Sequence, residues 1–353
     1  EMAQIVAKAM AKGANVDKLA AEFADELDNL GVRVANLEKK ADNVKITGEV
    51  RYHYADNDKD VEPGYATALR SRIWVNGQIN DDWKYTGMIE NNQNLKDNVG
   101  NEDTSFQRAY VNGKLGGLAV QAGRYHKKLA EGNVYDQRFD GVEVAYGKDV
   151  KLVAGYGKAA ASSAGHIMNS YVSDKDGKDV ISKEYADDVF YADLTGKVGK
   201  LNLGVGYSKW GFEHDTEAVH ADLTDDITIW TATANYAFDK NFNLGAMYLN
   251  GDTDGYDGDK DGYVVTASYK GAKAAKVGSW GLVAKYYDQG ALTYIDHTMN
   301  GKADKMEDFK GYSVAANYTF AKNIVGQVEW YDLEAKEGNK DSQTLWSQVV
   351  FTF

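Results

Sequence analysis

The twelve residues from Ser342 to Phe353, SQTLWSQVVFTF, decide the fold. They contain no Gly, no Pro and no charged residue. Leu345, Ser347, Val349, Phe351 and Phe353 fall on one face; Thr344, Trp346, Gln348, Val350 and Thr352 fall on the other. A period of two with β-branched and aromatic filling is a strand signal. In an open sheet such a strand leaves a sticky edge. In a closed barrel it does not, because the last strand pairs with the first.

Working back from this strand, helical periodicity is absent from Val44 onwards. Sixteen segments read as strands, at 44–54, 66–79, 83–92, 105–115, 118–125, 137–146, 149–158, 188–198, 200–210, 226–238, 241–250, 262–270, 278–289, 309–320, 322–333 and 342–353. Their connections alternate. After even-numbered strands they are mostly tight turns, such as Gly116-Gly117, Gly147-Lys148, Gly199-Lys200 and Ala321-Lys322. After odd-numbered strands they are long and polar: 55–65, 93–104, 126–136, 159–187, 211–225, 251–261, 290–308 and 334–341. Short turns at one rim and long loops at the other characterise up-and-down barrels of the outer membrane. The spacing therefore predicts an all-β transmembrane barrel of sixteen antiparallel strands over residues 44–353. An even strand number puts both termini at the short-turn rim, taken as periplasmic.

The strand faces agree with this expectation. Leu201, Leu203, Val205 and Tyr207 form one stripe, Phe242, Leu244, Ala246 and Tyr248 a second, and Trp280, Leu282, Ala284 and Tyr286 a third. Aromatics flanking an aliphatic middle match girdles at two membrane interfaces. The opposite faces carry Asn202, Gly204, Gly206 and Ser208, then Asn243 and Gly245, then Ser313, Asn317 and Thr319. A small, polar, wet lumen is the expectation.

Composition sets the outer bounds. The 353 residues include 36 Gly and 24 Tyr but one Pro and no Cys, which suits many strands joined by turns. Without Cys there is no disulfide scaffold, thiol nucleophile or thiolate metal site. A net charge of -13 speaks against a nucleic-acid partner, which needs a basic surface. Mean hydropathy is negative and no apolar run reaches the roughly eighteen residues of a membrane-spanning helix, but a barrel that alternates lipid-facing and lumen-facing residues needs neither. The sequence has no GxSxG, no HExxH and no ligand spacing among its six His, so no catalytic constellation and no cofactor is expected. The loops Asp252 to Gly262, DTDGYDGDKDG, and Ser173 to Asp179, SDKDGKD, are rich in Asp and Gly as calcium loops are. They lack the EF-hand spacing and read as solvated loop, with calcium the weaker alternative.

Before the barrel, residues 1–13 are Ala-rich and helical up to Gly13. From 14 to 43 the pattern becomes heptad: Ala20, Leu27 and Val34 recur every seven residues, as do Phe23, Leu30 and Leu37. This seam predicts a coiled-coil stalk spanning roughly 38 Å at 1.5 Å per residue, its partner another copy of the chain. The opening helix starts without a signal peptide, which reads as a mature or trimmed product.

Arginine is distributed one-sidedly. Apart from Arg33, all of it lies in the first six strands, as Arg51, Arg70, Arg72, Arg108, Arg124 and Arg138. Arg70 and Arg72 share a face with Asn76 and Gln78; Arg51 shares one with Lys45, Thr47, Glu49 and His53. Guanidinium stays charged at any working pH, so Arg51, Arg70, Arg72 and Arg108, with Arg124 and Lys45, are candidates for a positive pore wall. Arg124 and Arg138 share parity with Val or Ala and fit this wall less well.

The one-sided Arg and the connection 126–136, HKKLAEGNVYD, resemble the arrangement in sixteen-stranded general porins, whose third long loop folds into the lumen opposite a basic ladder. The resemblance implies that Glu131 and Asp136 form the acidic side of a constriction, and that a transverse field sets charge selectivity. A terminal strand ending in Phe353 is similar to the C-terminal signature read by the outer-membrane insertion machinery. The stretches EMAQIVAKAMAKG (Glu1 to Gly13), LAAEFADELDNLGVRVANLEKK (Leu19 to Lys40) and VKITGEVRYHY (Val44 to Tyr54) resemble the porins of diderm Firmicutes that carry an S-layer-homology domain. That likeness implies a homotrimer in the outer membrane, against lipid and lipopolysaccharide, passing small hydrophilic solutes. It also implies a stalk directed at the cell wall, with peptidoglycan-linked polymer bound through a domain of which only the last helix is present. Two alternatives stand beside a porin: a mainly structural tether of the outer membrane to peptidoglycan, and a soluble or surface β-rich adhesin.

Overall fold

The computed structural model describes residues 43–97, 104–159, 188–212, 226–254, 258–303 and 306–353, together with Ile5, Lys8, Ala186 and Tyr256. The stalk residues Ala20, Phe23, Leu27, Leu30, Val34 and Leu37 lie outside the described residues, as do most of 1–13 and the loop Ser173 to Asp179.

Sixteen strands follow one another: β1 Val44–Lys59, β2 Gly64–Gln78, β3 Trp83–Asn94, β4 Thr104–Leu115, β5 Leu118–Leu129, β6 Tyr135–Gly147, β7 Val150–Ala159, β8 Asp188–Val198, β9 Leu201–Gly211, β10 Asp226–Ala237, β11 Phe242–Asp252, β12 Asp261–Lys270, β13 Trp280–Gln289, β14 Phe309–Ala321, β15 Ile324–Ala335 and β16 Asp341–Thr352. Each pairs antiparallel with its sequence neighbours, and β16 pairs with β1 to close the barrel. The terminal segment thus has partners on both sides, with Tyr52 opposite Val349 on one and Gly326 opposite Val349 on the other. The seam is finished by Phe353, whose N–H donates to the Gly48 carbonyl at 2.9 Å while its carbonyl accepts from Gly48 N–H at 2.8 Å. The Phe353 ring lies over Gly48, where any Cβ would collide with it.

Several elements are longer than the sequence pattern predicts. β1 and β2 continue pairing to Asn57 and Gly64, so the connection expected at 55–65 shrinks to 60–63. Polar side chains sustain this extension outside the apolar band, as when Thr344 Oγ1 donates to Asn57 Oδ1 at 2.9 Å.

The larger departure is at β5 and β6. Pairing of β4 with β5 stops at Ala109–Arg124, and pairing of β6 with β7 stops at Phe139–Ala159. Beyond those points β5 and β6 leave the neighbouring strands and pair with each other, up to Leu129–Tyr135. The segment read as the loop 126–136 is therefore mostly strand, a hairpin that leaves the wall and turns at 130–134. Gly123, the last residue but one of β5 to pair with β4, has φ +119°, a conformation that L side chains rarely adopt. A Cβ there would also come within 2.5 Å of the Ala109 carbonyl oxygen.

The hairpin enters the barrel because its inner face is apolar. Tyr125, Leu129, Tyr135 and Phe139 alternate along it and are buried. They pack on Val189, Tyr191, Trp210, Ile227, Ile229 and Leu249, which project inwards from β8 to β11. The connection 290–308 folds in from the opposite side and adds Leu292, Tyr294 and Ile295 to the same cluster. Each such side chain contributes about 1.5–3 kcal/mol by leaving water. The expected small, polar, wet lumen is therefore corrected: on the β8–β14 side the upper lumen is filled by a hydrophobic core. Only below it does the polar face appear, as a cleft of about 470 Å³ lined by Lys151, Asp193, Thr195, Lys197, Asn202 and Asn235 among others.

Candidate functional site

With the β8–β14 side of the lumen filled, the charged side chains of the opposite wall lie on β1–β4, with β16 beside them. Strand register fixes which side chains face the lumen there. Arg51 on β1 lies opposite Arg70 on β2, Glu49 opposite Arg72, and Arg72 in turn opposite Glu90 on β3. Met88 opposes both Trp74 and Arg108, which brings Arg108 of β4 onto the same face. Lys45 opposes Asn76 lower on that face. Arg51, Arg70, Arg72, Arg108 and Lys45 thus share one lumen wall. Apolar Leu69, Ile73 and Val75 alternate with the β2 arginines and point outwards, which is why the parity is unambiguous.

The four arginines are not equivalent. Arg70 Nη2 donates to Glu49 Oε1 at 2.9 Å, and Arg72 Nε donates to Glu90 Oε2 at 2.5 Å while its Nη1 lies 3.6 Å from Glu49 Oε1. These four groups balance in charge. Among the described residues, Arg51 and Arg108 have no carboxylate within salt-bridge distance. Arg51 is held by its neighbours on β16 and β1 instead. Its guanidinium carbon lies 5.5 Å from the centre of the Trp346 ring, and His53 stacks on the same indole at 4.4 Å with planes 15° apart. Sequence reading missed Glu90 and Trp346, and placed His53 on the Arg51 face without giving it a role. Their signal was parity alone, since each lies on the polar face of its strand.

Arg124 does not join this wall. Its partner across β4–β5 is Ala109 and across β5–β6 is Asp140, on the parity of Val120, Ala122, Val142 and Val144. It therefore stands on the outward face, where Nε donates to Asp140 Oδ1 at 2.7 Å and Nη2 to Asp140 Oδ2 at 2.6 Å. The expectation that Arg124 lines the pore is corrected by this register. The bidentate pair makes its charge tolerable on an apolar surface.

On the hairpin, His126, Lys128, Asp136 and Arg138 alternate with the buried residues and turn away from the hydrophobic cluster. Asp136 is saturated. His126 Nε2 donates to its Oδ1 at 2.5 Å, Lys128 Nζ lies 3.3 Å from Oδ2, and Thr298 Oγ1 donates to Oδ2. Glu131, at the apex, accepts a hydrogen bond from Asn235 Nδ2 of β10 at 2.9 Å, on the wall away from the arginines. The two carboxylates expected to face the arginine wall are thus engaged elsewhere, and the hairpin face bears His126, Lys128 and Arg138 beside Asp136.

The underside of the hairpin is anchored by polar groups as well. Tyr125 O–H donates to the Tyr191 hydroxyl at 3.0 Å, which donates to Glu143 Oε2 at 2.8 Å. Lys127 Nζ donates to the same Glu143 oxygen at 2.7 Å and lies 4.1 Å from the Tyr191 ring centre. Buried polar groups are tolerated here because they satisfy one another.

Loop carboxylates at the mouth are also engaged. Lys260 Nζ lies 2.6 Å from Asp252 Oδ1, and Lys336 bridges Asp259 and Asp288. Among the described residues no group of three or more metal-ligating side chains is assembled.

No family model matches the chain, and no curated protein matches it. Solved structures do. A mutant of the Rh. blastica porin superposes with a TM-score of 0.52 at 15% identity, covering 88% of this chain and 100% of that one. OmpF of Salmonella typhi, solved in complex with daunomycin, gives 0.59 at 12% identity, covering 88% and 97%. A loop-deletion mutant of OmpT, an outer membrane protein of Vibrio cholerae, gives 0.54 at 16% identity, covering 88% and 99%. At these identities the likeness is one of fold: the chain is a closed sixteen-stranded antiparallel barrel of the kind those porins have.

Proposed function

We propose that this chain is an outer-membrane porin through which small hydrophilic solutes diffuse passively. The single observation that carries the reading is the division of the lumen by the β5–β6 hairpin. One side is packed by apolar side chains, and the other is a wall of fixed charges on β1, β2 and β4. The outward belts support a membrane setting. Tyr156, Phe190, Tyr207, Trp230, Tyr248, Tyr263, Tyr286 and Tyr312 line the outer surface of β7–β14 towards the long-loop rim, with aliphatic residues below them. Aromatics at this height suit a membrane interface. The tight turns then face the periplasm, and so do both ends of the barrel. Such an apolar outer surface gives no support to a soluble adhesin.

A homotrimer is the oligomeric state we favour. Around β2–β6 the outward face carries Ser71, Asn91, Gln93 and Thr104 and the Arg124–Asp140 pair. Asn91 Nδ2 donates to Thr104 Oγ1 at 3.0 Å, and Gln93 Nε2 to Asn91 Oδ1 at 2.6 Å. Charged groups facing lipid near the midplane cost about 2–4 kcal/mol, so this wall suits contact with protein better than lipid. A stalk over 14–43 would direct such an assembly towards the cell wall, and a tethering role is compatible with a pore.

The reading is tested by reconstituting the chain into liposomes and following swelling in neutral sugars of graded size. Swelling that falls steeply with sugar size supports a size-limited pore. Liposomes that hold the folded barrel and swell in no sugar contradict it.

A further inference from the structure

We propose that the tight-turn rim is a cationic collar that binds anionic phospholipid, and that its best-formed seat is an outward groove across β13–β16, with Lys270 at the groove's end to take the headgroup phosphate. The inference rests on the outer-membrane reading, which places this rim in the inner leaflet of that membrane, and goes beyond it by naming a lipid.

Charge comes first. From the β4–β5 turn round to the β14–β15 turn, lysine stands at or beside every tight connection, as Lys114, Lys148, Lys200, Lys240, Lys273 and Lys322. All are exposed, and among the described residues none has a carboxylate within salt-bridge distance. The carboxylates on that arc are Asp149 and Asp239, and Asp239 accepts from the N–H groups of Asn241 and Phe242 at 2.6 and 2.9 Å. The long-loop rim is the reverse. There Lys209, Lys260, Lys310 and Lys336 are each held by a carboxylate. A chain of net charge -13 thus gathers a row of unpaired lysines at one rim.

Depth comes second. Outward Tyr146, Val198, Phe238, Tyr269 and Phe320 are exposed and lie within two residues of these turns. Lysines just beyond such a belt stand at headgroup level, and clustered lysine there attracts anionic lipid. A polymer lying beneath the rim would meet the turns alone and leave the adjoining apolar wall uncovered.

Shape comes third. On that wall the register sets Trp280, Tyr318, Gly326, Val349 and Tyr52 in one row, and Leu282, Ala316, Val328 and Ser347 in the next. Between bulky neighbours the small residues Gly326, Ala316 and Ser347 leave an apolar groove of about 450 Å³. At its Trp280 end, Lys270 Nζ lies 4.4 Å from the centre of the Trp280 ring and 5.2 Å from that of Tyr269. The two rings hold the ammonium against the belt, and no carboxylate among the described residues neutralises it. One phospholipid satisfies both features, its acyl chain in the groove and its phosphate on Lys270. The groove lies away from the β2–β6 wall assigned to contact between copies.

The purified full chain is reconstituted in phosphatidylcholine vesicles, and spin-labelled phosphatidylglycerol and spin-labelled phosphatidylcholine are compared for the fraction the protein immobilises. The expected preference for phosphatidylglycerol is about fivefold at low salt, the size due to one lysine near the surface. It should fall towards equality in molar salt, where screening shortens to about 3 Å. Lys270→Gln should remove most of the preference, and Lys270→Arg should keep it. Ala316→Phe fills the groove without touching charge and should lower it too. Equal immobilisation of the two lipids by wild type overturns the inference and leaves the membrane barrel intact. Equal immobilisation together with salt-sensitive co-sedimentation on a lipid-free anionic wall polymer gives the collar to that polymer and likewise overturns the lipid. A preference untouched by both Lys270→Gln and Ala316→Phe overturns the seat. A chain that enters no vesicle overturns the outer-membrane reading itself.

Discussion

The backbone N–H of Thr298 donates to the carbonyl of Gly132 at 2.9 Å, although the two residues sit on connections eight strands apart around the barrel. One connection joins β5 to β6 and the other β13 to β14, so they meet from opposite sides of the lumen. The clasp is extended by Ile295 and Asp296, whose N–H groups both donate to Val134 O at 2.8 and 3.1 Å. Asp136 N–H in turn donates to Asp296 O at 3.0 Å. Backbone hydrogen bonds of this kind fix position regardless of side chain, and Leu292, Tyr294 and Ile295 supply the burial that holds them.

Truncating that burial should therefore widen the passage. Ile295→Ala removes a buried side chain from the clasp and should weaken docking of the 290–308 loop by about 2–5 kcal/mol. Single-channel recording should show a larger or noisier conductance than wild type, with the barrel still folded. Identical conductance and noise would mean that the loop does not restrict flow.

Acid should loosen the same loop through His297. The Tyr287, Tyr294 and Phe309 rings surround it edge-on, its Nε2–H donates to Gln289 Oε1 at 3.1 Å, and its Nδ1 accepts from Met299 N–H at 3.1 Å. Both ring nitrogens are thus satisfied in the neutral form, and a second proton would break the Met299 bond. Burial, then the charges of Lys285 and Lys128 against the opposing pull of Asp136, hold the group down at about 3. The folded-state value lies below the ordinary one of about 6.5, so the undocked loop binds a proton that the docked loop refuses. Docking should weaken as pH falls from about 6.5 towards 3 and be unaffected above that window. Asp308, pushed above the usual carboxylate range by burial, acts in the opposite sense, so the variant isolates the histidine. His297→Gln should flatten the rise in channel noise between pH 7 and pH 4; an unchanged pH profile would assign the effect elsewhere.

Much of this architecture was legible in the sequence, and for a definite reason. Sixteen period-two segments with alternating short and long connections leave few topologies other than an up-and-down barrel, and the apolar partners Leu69 and Ile73 fix the inward parity of Arg70 and Arg72. Interior filling was not legible in the same way. Val189 and Tyr191, or Ile227 and Ile229, place apolar residues on the lumen parity, but only near the long-loop ends of their strands. Short patches of this kind look like rim irregularity until an occupant is known. The occupants are the β5–β6 hairpin and the 290–308 loop, and the loop's apolar residues, Leu292, Tyr294 and Ile295, have no strand or helix period to announce them. The role of Asp136 was hidden for a related reason: Thr298, one of its partners, is 162 positions away in sequence.

Closure of the barrel should depend on the contact between Gly48 and Phe353. Gly48→Val puts a branched side chain where the Phe353 ring lies, and should lower the folded yield and the temperature at which the barrel loses its heat-resistant gel mobility. Phe353→Ala leaves Gly48 uncovered and should act in the same direction more mildly. A Gly48→Val protein as heat-resistant as wild type would show that the ring packs elsewhere.

The outward ion pair gives a sharper test of what lies against β5 and β6. Asp140→Ala strands the Arg124 guanidinium and should destabilise by about 2–4 kcal/mol. Arg124→Leu with Asp140→Leu removes both charges and should recover the monomer's stability while weakening association between copies, seen as a shift from trimer to monomer on native gels. If the double variant assembles as well as wild type, the pair faces lipid and not a second copy.

Single-channel conductance of the purified chain in a planar lipid bilayer tests the central claim most directly. A barrel half filled by the β5–β6 hairpin and the 290–308 loop, with the wall of Arg51 and Arg108 opposite, should give discrete, stepwise openings of uniform size, and deleting 291–307 should increase them. Insertion of a folded, heat-resistant barrel that passes no current, before and after that deletion, would contradict a pore and leave the barrel a membrane anchor.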